Sequence, residues 1–251
     1  MDLRCCHRSF ILGLLVLAAC SAHPQRLRPA RGAYEVRGLD WSAVGGENQI
    51  EVIVQTRSWP GDPRVLREVE PLHLRIGNYG FRPVQLRYDG FRLVSERGLE
   101  YAPLLPVVHE ADAGSNSQAV VTPRFSYSGF KIARYEGHVY SGLFVQAVSL
   151  FRDAPHARRW NTETFPMQEP LEWAIPEGIL EVGGFVDGYM FFERVPPGDT
   201  RLRFEAVLTA PRVGPMKRAD LAAPISAKSS PLEEAAGDER VARVSIPLEA
   251  D

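Results

Sequence analysis

Cysteine is nearly absent from this 251-residue chain, and its three occurrences, Cys5, Cys6 and Cys20, all fall within the first twenty residues. The chain beyond them has no thiol with which to close a disulfide or build a thiolate metal site. Lysine is almost as scarce: Lys131, Lys217 and Lys228 are the only ones, so arginine supplies the rest of the 29 basic residues. These stand against 31 acidic residues, for a net charge of −2, and the arginines are spread along the chain rather than clustered. Such a balance exerts no overall pull on polyphosphate, so no nucleic-acid partner is expected. Motifs that carry chemistry are missing too. There is no Gly-x-Ser-x-Gly elbow, no phosphate-binding glycine loop, no Gly-x-Gly-x-x-Gly and no His-Glu-x-x-His. His109-Glu110 opens the last of these but lacks the second histidine, and His23, His73, His109, His138 and His156 include no pair at ligand spacing. No cofactor, metal or catalytic residue is therefore assigned, and the reading leans away from an enzyme.

One apolar run stands out, from Phe10 to Ala19, preceded by the basic residues Arg4 and Arg8. A helix of about ten residues covers roughly 15 Å, half of a bilayer's hydrocarbon core, so the run fits a cleaved export signal better than a membrane span. It ends in Leu17-Ala18-Ala19-Cys20. This tetrapeptide resembles the lipobox of bacterial lipoproteins, with leucine at −3, small residues at −2 and −1, and cysteine at +1. The resemblance implies that residues 1–19 are a signal peptide, that the Cys20 thiol carries a diacylglyceryl group, and that the new amino terminus is acylated. It also implies a cell-envelope location. Ser21, where an aspartate would retain the protein in the inner membrane, points to the outer membrane of an organism that has two. Several acyl chains together hold a protein firmly, since each buried methylene contributes about 0.8 kcal/mol.

After the cysteine, Pro24, Arg26, Arg28, Pro29 and Arg31 in a stretch poor in apolar residues read as a solvated tether, with residues 20–46 assigned to the lipidated cysteine and tether together. From residue 47 onward, apolar and polar residues alternate with the period of a half-buried strand. Ile50 to Thr56, Leu72 to Ile76, Val84 to Leu93, Leu99 to Leu104, Leu202 to Leu208 and Ala242 to Leu248 follow that pattern, with Gly77-Asn78-Tyr79-Gly80 and Asp89-Gly90 as turns. The apolar run Phe185 to Val195 is long enough for a strand covered on both faces, and Pro196-Pro197-Gly198-Asp199 suggests a hairpin to the next strand. About seven strands with turns between them predict an all-β fold, an antiparallel immunoglobulin-like β-sandwich over 47–251. The alternation around Leu72 to Leu104 and the Gly183-to-Leu208 hairpin are similar to those of uncharacterised lipoproteins with an immunoglobulin-like domain, a resemblance that brings no site residues with it.

Residues 107–178 are too long for a structureless connection and are expected to form an ordered insert. Within them Tyr140, Leu143, Phe144, Ala147, Val148 and Phe151 fall on one face of a helix, with Gly142 weakening it by about 1 kcal/mol. That face is expected to cover the sheet. The same insert holds Trp160 and Trp173, candidate ligand-binding aromatics among several prolines, although packing against the sheet is the simpler role for both. Glu110, Asp112 and Asn116 lack the order of a calcium loop. Asp187, within an apolar run, needs either a partner or an outward-facing position.

Two functions remain open at this point. One is a lipid-anchored envelope module that binds a protein or glycan partner and has no catalytic activity; it would touch the membrane through lipid on Cys20. The other is an envelope hydrolase with its site in 107–178, for which Glu110, Asp112, His138 and His156 are the candidates.

Overall fold

The computed structural model describes residues 26–106, 120–121, 124–132, 145–146, 158–160, 168–211 and 239–250. The signal segment, Cys20, Glu110, Asp112, Asn116, His138 and His156 lie outside them. The described residues form an all-β, mostly antiparallel structure. In chain order the strands are β1 (Leu27–Pro29), β2 (Tyr34–Glu35), β3 (Ser42–Glu47), β4 (Ile50–Gln55), β5 (Val69–Asn78), β6 (Val84–Leu86), β7 (Phe91–Ser95), β8 (Glu100–Tyr101), β9 (Pro103–Pro106), β10 (Val120–Val121), β11 (Ser126–Ile132), β12 (Val145–Gln146), β13 (Arg158–Trp160), β14 (Gly178–Glu193), β15 (Arg201–Thr209) and β16 (Arg240–Ala250). Among the described residues two short α-helices accompany them, α1 (Val65–Glu68) and α2 (Gln168–Trp173), with a 3-10 turn at Tyr88–Gly90.

The main sheet runs β1-β16-β15-β6-β14-β5-β4-β3-β2. One half consists of β1, β16, β15, β7 and β8; the other of β2 to β5 and β14. Strand β6 joins them, pairing with β14 at Gly178–Leu180 and with β15 at Thr209. Alternation explains the core: Ile50, Val52 and Val54 of β4, Leu72, Leu74 and Ile76 of β5, and Ala242, Val244, Ile246 and Leu248 of β16 all point inward and are buried. Between the halves, Phe192 meets Phe204 with ring centroids 6.1 Å apart, and within one half Phe204 meets Phe91 at 6.2 Å.

The sheet nearly closes on itself where β3 approaches β16. Gly45 lets them meet, because a Cβ there would lie 2.9 Å from side-chain carbons of Val244 and Ile246. The seam is held by Asn48 Nδ2, which donates to the Val241 carbonyl at 2.7 Å, and by the Arg243 amide, which donates to the Glu47 carboxylate.

Three expectations are corrected. First, β14 and β15 are not a hairpin: β14 pairs with β5, β6, β9 and β11, and β15 with β16, β7 and β6. The residues Pro196 to Thr200 carry the chain across the core from one half to the other. Two prolines cannot donate to a ladder, Gly198 sits at φ +107°, and the buried Asp199 carboxylate receives Arg97 Nε at 2.6 Å and the Tyr101 hydroxyl. Burial of Tyr101 itself and the adjoining carboxylate push its hydroxyl up to about 12. Second, the sheet starts at Leu27, not near residue 47, because Leu27 is buried and β1 pairs with the end of β16. Much of the stretch 27–46 expected as tether is therefore sheet, in β1, β2 and β3. Third, the helix expected over Tyr140 to Phe151 is not continuous, since Val145–Gln146 are extended and pair antiparallel with Val120–Val121. Valine and phenylalanine suit a pleated surface as well as a helix face, and a short apolar run does not separate the two periods. The insert itself also joins the main sheet, through β11 along β14.

Replacing Phe204 by Ala is expected to lower unfolding free energy by about 3–5 kcal/mol, because it empties the contact between the halves; an unchanged denaturation midpoint would contradict this core. At Glu70, burial pushes the carboxyl up to about 7, although the Leu27 amide and Arg26, Arg194 and Arg57 pull it down. Between the ordinary value of 4.5 and about 7 the unfolded chain has released this proton while the folded one holds it. Stability from this group thus falls as pH rises through that window. Glu70→Gln is expected to match the wild type near pH 4 and to exceed it by about 1–3 kcal/mol at pH 8. Melting curves that coincide at both pH values would count against it.

Candidate functional site

On the outer face of β4, β5 and β14 the ladder register sets Gln55 opposite His73, and His73 opposite Tyr189. Directly opposed residues share a face, so three neighbouring strands bring these side chains into one row. Asp187, two residues before Tyr189, joins it diagonally. His73 Nε2 lies 2.6 Å from Asp187 Oδ1, and His73 Nδ1 lies 3.1 Å from Gln55 Oε1. The Gln55 amide is oriented by its Nε2, which donates to the Asp40 carbonyl at 3.1 Å, so its oxygen faces the imidazole. Both His73 and Asp187 are about one-quarter exposed. Both ring nitrogens of His73 thus lie against side-chain oxygens, a pairing that fixes the orientation of the ring within the row.

Aromatic rings border the row. Tyr189 stacks on His73 at 4.8 Å, and its hydroxyl donates to the Ser58 carbonyl. Burial raises that hydroxyl above its ordinary value. Trp59 meets Tyr189 edge-on at 5.1 Å, and Trp173 does so at 5.8 Å. Trp59 is held by its Nε1, which donates to the Asp62 carbonyl at 3.1 Å, and the Asp62 amide donates to Glu169 of α2 at 2.7 Å. Arg124 lies 5.7 Å from the Trp173 ring centre and forms an ion pair with Glu172 at 2.7 Å. Beside Asp187, Arg75 faces it across the ladder and lies over the Phe185 ring at 5.3 Å.

Asp187 has the partner its apolar context required. Trp173 is half-buried against the core, so packing is part of its role. Trp160 ends β13, which pairs in parallel with β9, and β9 in turn pairs with β14. The hydrolase candidates Glu110, Asp112, His138 and His156 lie outside the described residues, as does Cys20. Missed were His73, Gln55, Ser58 and Tyr189. Alternation already placed His73 and Gln55 on the polar faces of their strands; what it lacked was the register that sets them side by side.

The opposite outer face carries a second polar cluster. Glu205 is buried on β15 and accepts from Arg92 Nε and Nη2 at 3.0 and 2.9 Å and from Arg243 at 3.1 Å. Burial pushes this carboxyl up, but the two guanidiniums outweigh it and hold it below its ordinary value. Among the described residues no three His, Cys, Asp or Glu side chains converge as a metal site, and no helix is long and apolar enough to cross a membrane. No family model, no curated protein and no solved structure matches the chain.

A double-mutant cycle tests the central pair of the row. His73→Ala and Asp187→Ala are each expected to cost about 1 kcal/mol, and together less than their sum by a few tenths or more. Strict additivity would mean that the pair is not formed in solution.

Proposed function

We propose that the protein is a lipid-anchored module of the bacterial cell envelope that acts by binding, with an immunoglobulin-like sandwich as its scaffold. On this reading residues 1–19 are removed, Cys20 is acylated, and in an organism with two membranes Ser21 directs the protein to the outer one. The two halves of the sheet, facing each other across the Phe192–Phe204 contact, support the sandwich description. The ligand-binding surface is the row Gln55, His73 and Asp187 with the bordering Trp59 and Trp173, which rest edge-on against the buried Tyr189. Partly exposed indoles beside hydrogen-bonding groups suit the alternating apolar and hydroxyl-bearing faces of a sugar, so an envelope glycan is the preferred ligand class.

The observation that carries the binding reading is the pair of partly exposed indoles, Trp59 and Trp173, beside the one-quarter exposed side chains of His73 and Asp187. Titration of the protein with soluble peptidoglycan fragments and lipopolysaccharide core oligosaccharides, followed by tryptophan fluorescence, tests it. A saturable change that weakens about tenfold or more in Trp173→Ala is expected, since a stacking contact contributes on the order of 1 kcal/mol or above. Absence of any saturable response, the same affinity in the variant, or turnover of a fragment would refute the reading.

A further inference from the structure

We propose that the end of the sheet where the chain enters at Leu27 rests on the phospholipid surface, with Leu39 and Trp41 reaching into the headgroup layer. This rests on acylation of Cys20. Seven residue steps separate Cys20 from Leu27, and a fully extended chain spans about 3.5 Å per residue, so Leu27 lies within about 25 Å of the acylated cysteine. The distance is short because β1, by pairing with Ala250 to Leu248, ties the chain into the sheet at once.

Trp41 stands beside that entry point. The Leu27 carbonyl accepts from Arg57 Nε at 3.1 Å, and the same guanidinium lies 4.4 Å from the centre of the Trp41 ring. Both residues are held in the left-handed backbone region, Trp41 at φ +57° and Arg57 at φ +58°, a conformation that bulky side chains adopt only under constraint. The result is an indole displayed outward, 47% exposed, next to Leu39, which is 44% exposed. Large apolar side chains two positions apart in a loop are poorly placed for water and well placed for an interface, and tryptophan is the residue best suited to the headgroup level.

The charge around them fits the same occupant. Residues 26–41 carry four arginines against Glu35 and Asp40, and Arg26, Arg31 and Arg37 are exposed. Each cation near an anionic leaflet adds attraction, and the local excess is absent from the chain as a whole. A bilayer thus accounts together for the exposed pair, the arginines and the position of the chain's entry. Docked this way, the end bearing Asp40 faces the lipid, and Asp40 is the residue whose carbonyl orients Gln55.

The test uses the full acylated protein, purified in detergent and reconstituted into vesicles of phosphatidylethanolamine and phosphatidylglycerol, with and without lipid brominated near the acyl carbonyl. Bromine is expected to quench a part of the tryptophan emission that Trp41→Phe lacks and Trp173→Phe retains. Leu39→Ser, which keeps the indole, is expected to reduce that quenching, so the result does not depend on one variant folding. Protein that carries acyl mass on Cys20 and floats with the vesicles, yet is quenched equally in wild type and Trp41→Phe, overturns the orientation while leaving the anchor standing. The same applies if this end seats a protein partner instead of lipid, because pure-lipid vesicles then produce no Trp41 quenching. An unmodified Cys20 overturns anchor and orientation together.

Discussion

A strand of sixteen residues presents two long rows of backbone N–H and C=O groups, and wherever such a strand is buried each group must find a partner. β14 meets that demand by pairing along one edge with β6 and β5 and along the other with β11, the bridge at Ala174 and β9. Once these partners are in place the rest follows. The edge toward β5 leads outward through β4 and β3 to the seam with β16. The β11 edge draws residues of the long insert into the sheet. Tyr189, Asp187 and Phe192 take their places from the pleat of the same strand, two on the outer row and one in the core. A fold built around one such spine gains most of its contacts from residues far apart in sequence, and its formation is correspondingly slow relative to local structure.

Much of this was legible from residue order alone. Alternation marked β4, β5, β6, β7, β15 and β16 with small errors at their ends, because each has one face in the core and one in water. The immediate neighbours of those strands were not legible. The segment Pro196 to Asp199 has the composition of a hairpin turn, yet it crosses the core, because the partner for β15 is supplied by β16 and β7. Composition records that a chain bends; which edge it joins depends on distant strands competing for the same hydrogen bonds. The same competition explains Leu27. A single buried leucine in an arginine- and proline-rich stretch carries no periodic signal, and only the open edge of β16 turns those three residues into a strand.

The outer row shows the limit more sharply. Asp187 was conspicuous because a carboxylate in an apolar run has to be satisfied, and it is, by His73. Nothing adjacent in sequence announces that histidine: 114 positions separate the two. Trp173 was singled out as an aromatic in an irregular segment, and its place at the edge of Tyr189 makes it both a packing residue and a border of the row. Trp59, in a turn rich in proline and glycine, is set there by Asp62 and by Glu169 of α2, so a loop that reads as punctuation carries one wall of the surface.

β14 is the spine on which both the core and the outer row are hung. Amide hydrogen exchange measured strand by strand tests that directly. Amides of residues 185–193 are expected to be the most protected in the molecule, opening only with global unfolding, whereas β1 and β2 at the margins exchange by local fraying. Exchange in 185–193 as fast as in those margins would contradict the account.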